Sequence, residues 1–140
     1  MEILLCKLAH INEYLVRRRT LAKYYDEQLK NTDLVLPITA LGNQHAFYLF
    51  VCHHPKRGII ISELQKRNIF VNISYPWPIH TMSGYTFLSY KEGGLPQTEA
   101  VCREIYSLLM YPTITEEELE CVSSALRDIL GYIKRNKTKC

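Results

Sequence analysis

Four consecutive residues, Tyr75-Pro76-Trp77-Pro78, set the tightest limit on what this chain can fold into. Proline has no N–H to give a sheet ladder, its ring fixes φ, and it pushes the residue before it toward extended backbone. The apolar strand predicted just upstream, over residues 69–73, must therefore end here. The chain must leave the sheet as a stiff extended segment. That segment carries the only tryptophan, Trp77, together with Tyr75, His80 and Tyr85. Aromatic and polar side chains on a rigid loop at a strand end are what a binding site needs. The plainer alternative is a surface loop whose aromatics pack on their own domain.

Around this loop the patterning alternates between helix and strand. Leu4, Leu8, Ile11, Leu15, Arg18, Ala22, Tyr25 and Leu29 recur in steps of four and three, which predicts one long helix over residues 1–30. No capping residue stands in front of it, so its start either frays or belongs to a longer helix. Arg18 lies on the apolar stripe and is expected to snorkel to solvent, the other option being an anion opposite it. Residues 45–53, HAFYLFVCH, predict a central strand with Phe47, Leu49 and Val51 on one face and Tyr48, Phe50 and Cys52 on the other, both faces covered. A short edge strand over residues 34–38, a helix over 58–68 and a helix from Pro96 to about Ser107 complete the middle of the chain. Thr115 and Glu118 form a capping box, and the helix behind them carries Leu119, Val122, Leu126, Ile129, Leu130 and Ile133. After Ile133 the residues 134–140 read as a basic tail without structure. The fold class expected is α+β, a small, mainly antiparallel sheet with helices packed on it.

Charge and cysteine content exclude several function classes. The 140 residues suit one domain, and a net charge of +3 is too mild to argue for nucleic acid. Arg17, Arg18 and Arg19 read as a solvated helix face. No apolar run is long enough to cross a membrane. The five cysteines are odd in number and form no CxxC pair, which suits reduced thiols in a cytoplasmic protein, with Cys140 the most exposed to oxidation. The start, MEILLCKLAHINEY, carries Glu2 and is neither a secretory signal nor a transit peptide. His53 and His54 point to opposite faces of an extended chain and make poor joint metal ligands, so no metal site is expected. The paired glycines Gly93-Gly94 mark a turn, because the phosphate-loop pattern is absent. No catalytic residue set emerges from these residue types alone.

In order, however, the segments resemble a known family. KLAHINEYLVRRRTLAKYYDEQL is similar to the long arginine-bearing helix of the DegT/DnrJ/StrS sugar aminotransferases. HAFYLFV resembles their H-x-Y-H-L-[FY]-V strand, and ISYPWPIHTMSGY their H-Y-P-x-P-x-H loop. YKEGGLPQTEAVCREIYSLLMYPTITEEE resembles the segment that ends S-L-P-M-[YF]-P-x-L-T-E-E. The resemblance implies the C-terminal small domain of a fold-type-I enzyme that uses pyridoxal phosphate to aminate nucleotide-linked sugars, as in lipopolysaccharide or deoxyamino-sugar synthesis. It places Tyr75 and His80 on the substrate side of the loop. The sequence departs from the family pattern at Ser74, Tyr48 and Leu109.

The same resemblance implies that the Schiff-base lysine, the acid for the pyridine nitrogen and the phosphate cup belong to a separate N-terminal domain. Lys7, Lys23 and Lys30 fall on helix faces and Lys91 in a turn, so no cofactor is expected in this chain alone. Three readings stay open. The chain is a truncated or split transferase domain, inactive by itself; or a stand-alone module that binds a sugar nucleotide or a partner; or a degenerate remnant. Self-association through residues 1–30, or docking of a cofactor-domain chain there, is expected from the uncovered apolar stripe.

Overall fold

The computed structural model describes residues 2–137; Met1 and the expectation for Cys140 lie outside the described residues. The chain forms helix α1 (Glu2–Ala9), helix α2 (Ile11–Leu29), strand β1 (Phe50–His53), helix α3 (Arg57–Gln65), helix α4 (Pro96–Glu104), strand β2 (Ile105–Leu108) and helix α5 (Glu116–Lys137). Between α3 and α4 lie two 3-10 turns, Ile79–Thr81 and Ser83–Leu88.

β1 and β2 pair antiparallel, with Phe50 opposite Leu108, Val51 opposite Ser107, Cys52 opposite Tyr106 and His53 opposite Ile105. Single-residue bridges extend the pair on both sides: Val35 joins His53, and Asn72 joins Ser107. The expected small antiparallel sheet is present, with β1 and β2 at its centre and the predicted strands over 34–38 and 69–73 each reduced to one bridging residue. The sequence predicts a helix that runs on to about Ser107, but residues 105–108 are not helical. They are a strand because Ile105 leaves the helix with φ −76° and ψ 145°, and the ladder to β1 then satisfies their backbone groups.

One face of the sheet carries the core. Phe50, Cys52, Tyr106 and Leu108 meet Leu21, Ala22, Tyr25 and Leu29 of α2, Ile60 and Leu64 of α3, and the seam Leu119, Val122, Leu126, Ile129, Leu130 and Ile133 of α5. The α5 seam is the one the sequence spacing predicts, and its start is the capping box. Glu118 N–H donates to Thr115 Oγ1 at 3.1 Å, and Thr115 N–H donates to Glu118 Oε2 at 2.8 Å. The helix continues through residues 134–137, which had been expected to be unstructured. Tyr24 hydrogen-bonds Glu120, and Arg127 bonds Gln28, tying α2 to α5 across their polar edge.

Three expectations need correction. The first helix is not continuous, since a turn at His10 separates α1 from α2. α1 buries no residue, and Ile3, Leu4, Leu5 and Leu8 are 60–75% exposed. The strand expected from residue 45 begins only at Phe50, because Phe47 adopts a left-handed backbone, φ 47°, with its N–H given to His45 Nδ1 at 2.8 Å. Tyr48 is consequently thrown into solvent, and Val51, on the far face of the sheet, is also exposed. α3 ends at Gln65 rather than residue 68, where Asn68 takes φ 59° and turns the chain back so that Ile69 N–H reaches Leu64 O at 3.0 Å.

The arginine run is not a solvated face either. Arg18 Nη1 donates to the carbonyls of Phe47 at 2.9 Å, Tyr48 at 3.0 Å and Met110 at 2.7 Å. Arg17 reaches Ile114 O at 3.0 Å, and Arg19 Nε reaches His45 O at 3.1 Å. Three adjacent residues on one helix thus gather the approach to β1 and the exit from β2, and Arg18 neither snorkels nor meets an anion.

Candidate functional site: the aromatic lip

β2 and the bridge at Asn72 fix where the aromatic loop begins. Ser107 N–H donates to Asn72 O at 2.7 Å, and Asn72 N–H returns to Ser107 O at 3.3 Å. Beyond that bridge the chain bends at Ser74 and again at Pro76 and Trp77, and Pro78 is extended, at φ −64°, ψ 135°. Pro78 O then accepts from Thr81 N–H at 3.1 Å and from Thr81 Oγ1 at 2.9 Å, which winds residues 79–81 into a single turn. The second turn, Ser83–Leu88, stops at Ser89, whose φ of 59° reverses the chain.

The tip residues are presented outward. Tyr75, Trp77 and Ile79 are 55–66% exposed, and Phe87 and Tyr90 are exposed beside them. His80 behaves differently: it is 7% exposed, with its Nε2 at 3.1 Å from Glu99 Oε1. Glu99 is itself buried, on the first turn of α4. Its carboxylate also accepts Gly93 N–H, at 2.9 Å to Oε1 and 3.0 Å to Oε2, and Leu95 N–H at 3.3 Å. The Gly93 amide, and after it His80, hold this carboxyl below the usual carboxylate range. An ionised carboxylate only accepts, so Nε2 of His80 carries the proton between them. Gly93 reaches the carboxylate from φ 84°, a backbone region that favours glycine.

Tyr75, Trp77, Ile79, Leu88, Leu95 and Thr98 line a groove of about 320 Å³, with the buried His80 and Cys102 also in its wall. No arginine, lysine, aspartate or glutamate lines it. A larger groove of about 520 Å³ runs under α1 and the start of α2, lined by Lys7, Ile11, Tyr14, Arg18 and Tyr48 among others. Arg18 is committed there to three carbonyls, with its guanidinium 5.9 Å from the Tyr48 ring centre.

Of the two residues singled out in the sequence, the structure puts Tyr75 on the open rim and His80 beneath it. Both border the same groove. Glu99 escaped notice, although a glutamate in the first turn of a helix that follows Gly93-Gly94 is a local signal for an amide-binding carboxylate. The adjacent histidines part company: His53 Nδ1 faces Glu104 Oε2 at 3.2 Å, and buried His54 faces Asp33 Oδ2 at 3.3 Å. Among the described residues, no group of three metal-ligating side chains is assembled, and no helix is long and apolar enough to cross a membrane.

Comparison with known proteins bears on this geometry directly. The model of the DegT/DnrJ/EryC1/StrS aminotransferase family matches residues 2–127, a span that includes the loop, the diglycine turn and α4. A dTDP-3-amino-3,4,6-trideoxy-alpha-D-glucose transaminase of Micromonospora megalomicea is 40% identical over 92% of this chain and 36% of its own length. A dTDP-3-amino-3,6-dideoxy-alpha-D-galactopyranose transaminase of Aneurinibacillus thermoaerophilus is 32% identical over 89% of this chain and 34% of its own. In three dimensions, a DegT DnrJ EryC1 StrS aminotransferase from Brucella abortus superposes with a TM-score of 0.83 at 29% identity, over 91% of this chain and 34% of that one. The chain therefore spans about a third of the length of the relatives it matches.

Proposed function

The chain belongs to the DegT/DnrJ/EryC1/StrS aminotransferase family, and from that premise we propose that it forms the C-terminal, substrate-facing module of a nucleotide-sugar transaminase. In this reading the lip around Tyr75 borders the sugar nucleotide. The lysine and phosphate-binding groups come from a cofactor-bearing domain outside these residues, so the module catalyses no transamination by itself. The observation that carries the reading is the run of the family match through the whole lip and its anchor. The relatives' names give the ligand class, a deoxy sugar joined to a nucleoside diphosphate.

The described residues do not fit pyridoxal phosphate. That cofactor needs a lysine at the carbonyl carbon, an acid at the ring nitrogen and a cup for its phosphate. The aromatic groove offers no lysine or acid, and in the larger groove Lys7 is exposed and Arg18 is spent on carbonyls. What remains to this chain is recognition. Tyr75 and Trp77 supply flat apolar surface at low cost in conformational entropy, suited to the carbon face of a pyranose or to a base.

Calorimetric titration with a dTDP-linked amino sugar tests this. Measurable heat is expected from the chain, with affinity reduced about tenfold in Tyr75→Ala, the scale of one lost aromatic contact. Absence of heat even at millimolar ligand would remove the reading and leave a fold without retained recognition.

The exposed leucines of α1 point to a protein partner as well. An eight-residue helix with no buried side chain is not stable in isolation. We infer that α1 and the groove beneath it dock on a second polypeptide, either a cofactor-domain chain or another copy of this one. With the chain alone, sedimentation velocity is expected to show concentration-dependent dimers that Leu4→Glu and Leu8→Glu together abolish. A strict monomer at high concentration would exclude the self-associating form.

A further inference from the structure

Five polar or charged residues are buried in the described structure, and two of them, His80 and Glu99, face each other outside the hydrophobic core cluster. Their pairing spans 19 residues and lies at the wall of the groove rimmed by the exposed Tyr75 and Trp77. The chain between them folds back through two 3-10 turns whose main packing is on each other. Little apolar burial holds this excursion down, so polar anchoring has to.

Glu99 supplies it from a single side chain. Oε1 receives His80, Gly93 and Leu95, and Oε2 receives Gly93 again. These three donors come from three places: the end of the aromatic loop, the diglycine turn, and the residue that opens α4. A buried carboxylate with its acceptor sites filled by fixed N–H groups is a poor general acid or base. It is well placed to hold backbone in register. Tyr90, whose ring centre is 6.0 Å from that of His80, packs edge-on against the same histidine.

We propose that Glu99 is the positioning residue of the lip: it locks the aromatic loop, the diglycine turn and the start of α4 together, and so sets where Tyr75 and Trp77 are presented. His80 acts through it as the donor that ties the loop end down, rather than as a group that touches ligand. This deepens the reading of the lip as a sugar-nucleotide site and rests on it only for the ligand-binding arm of the test.

Trp77 is the only tryptophan, so the near-ultraviolet circular dichroism of its indole reports the lip alone. In the full chain, Glu99→Ala is expected to abolish that band. Chymotryptic cleavage at Tyr85, Phe87 or Tyr90 should rise at least about tenfold, because cleavage follows the population of locally opened chain. The urea midpoint followed by helical signal should stay within error, since residues 74–104 give the hydrophobic core cluster no side chain. Glu99→Gln, which keeps the volume and one acceptor oxygen, should fall between wild type and alanine; His80→Leu should reproduce Glu99→Ala. An unchanged indole band and unchanged cleavage in Glu99→Ala would overturn the proposal. So would loss of the band only in step with global unfolding, in both the glutamine and the alanine variant. In titration with a dTDP-linked sugar, Glu99→Ala is expected to match the tenfold loss of Tyr75→Ala. If the wild type gives no heat, the ligand reading fails, while the indole band and the cleavage rate still decide the role of Glu99.

Discussion

Arg18→Ala is expected to remove about 3 kcal/mol of folding stability. The guanidinium donates three hydrogen bonds to the carbonyls of Phe47, Tyr48 and Met110. Hydrogen bonds from a charged donor contribute about 1.5–3 kcal/mol each, and carbonyls left without a partner cost further, offset where water reaches them. The acceptors lie on two segments far apart in sequence, residues 47–48 and residue 110, so the loss is not local. The left-handed Phe47 loses one of the contacts that hold it, and the approach to β1 loosens from the exit of β2. Arg18→Lys should recover only a fraction, because all three bonds leave Nη1, and the flexible lysine stem ends one bond short of that atom. Chemical denaturation of the three proteins checks the order wild type, lysine, alanine. Equal midpoints for wild type and alanine would show that the clamp contributes nothing.

Phe50→Ala should cost about 4 kcal/mol, within the usual range for removing a buried phenyl ring. Phe50 is fully buried, with its ring centre 5.1 Å from Tyr25 and 6.1 Å from Phe47. It opens β1 opposite Leu108, so the void would lie between the sheet and α2. Neighbours cannot collapse into it freely. Tyr25 is pinned by its hydroxyl, which donates to Leu109 O at 3.0 Å, and Phe47 is fixed by its backbone. Against a typical domain stability of about 5–15 kcal/mol such a loss is large. Phe50→Leu, which fills most of the space, should cost about 1 kcal/mol. Thermal unfolding separates the two; a small effect of alanine would mean that the two remaining rings, Tyr25 and Phe47, repack.

Where local signals decide the structure, the sequence shows it. The Thr115–Glu118 box and the α5 seam are legible because capping and helical spacing act within a few residues. The exit of the chain from the sheet at Pro76 and Pro78 is legible because proline chemistry is intrinsic. β2 is not: Ile105, Tyr106, Ser107 and Leu108 continue a helical spacing from Val101, and only the ladder to β1 makes them extended. The late start of β1 depends on Arg18 and His45 holding Phe47, contacts that no window of sequence reveals. The break at His10 carries neither glycine nor proline. At the candidate site, Tyr75 could be read as a presented aromatic. That His80 faces inward follows from Glu99, 19 residues on, whose meaning depends on the turn between them.

The arginine clamp and the Tyr25 hydroxyl share a property: every acceptor they use is a main-chain carbonyl. Such grips are blind to side-chain identity. Two of the positions where this chain departs from its family's motifs, Tyr48 and Leu109, are residues held in this way. A main-chain carbonyl is present at residues 48 and 109 whatever side chain stands there, so Arg18 and Tyr25 keep these acceptors through any substitution that leaves the backbone in place. The scaffold is therefore held at these two places through main chain, and what the side chains add is separate: the Tyr48 ring lies 5.9 Å from the Arg18 guanidinium, and Leu109 packs against the core.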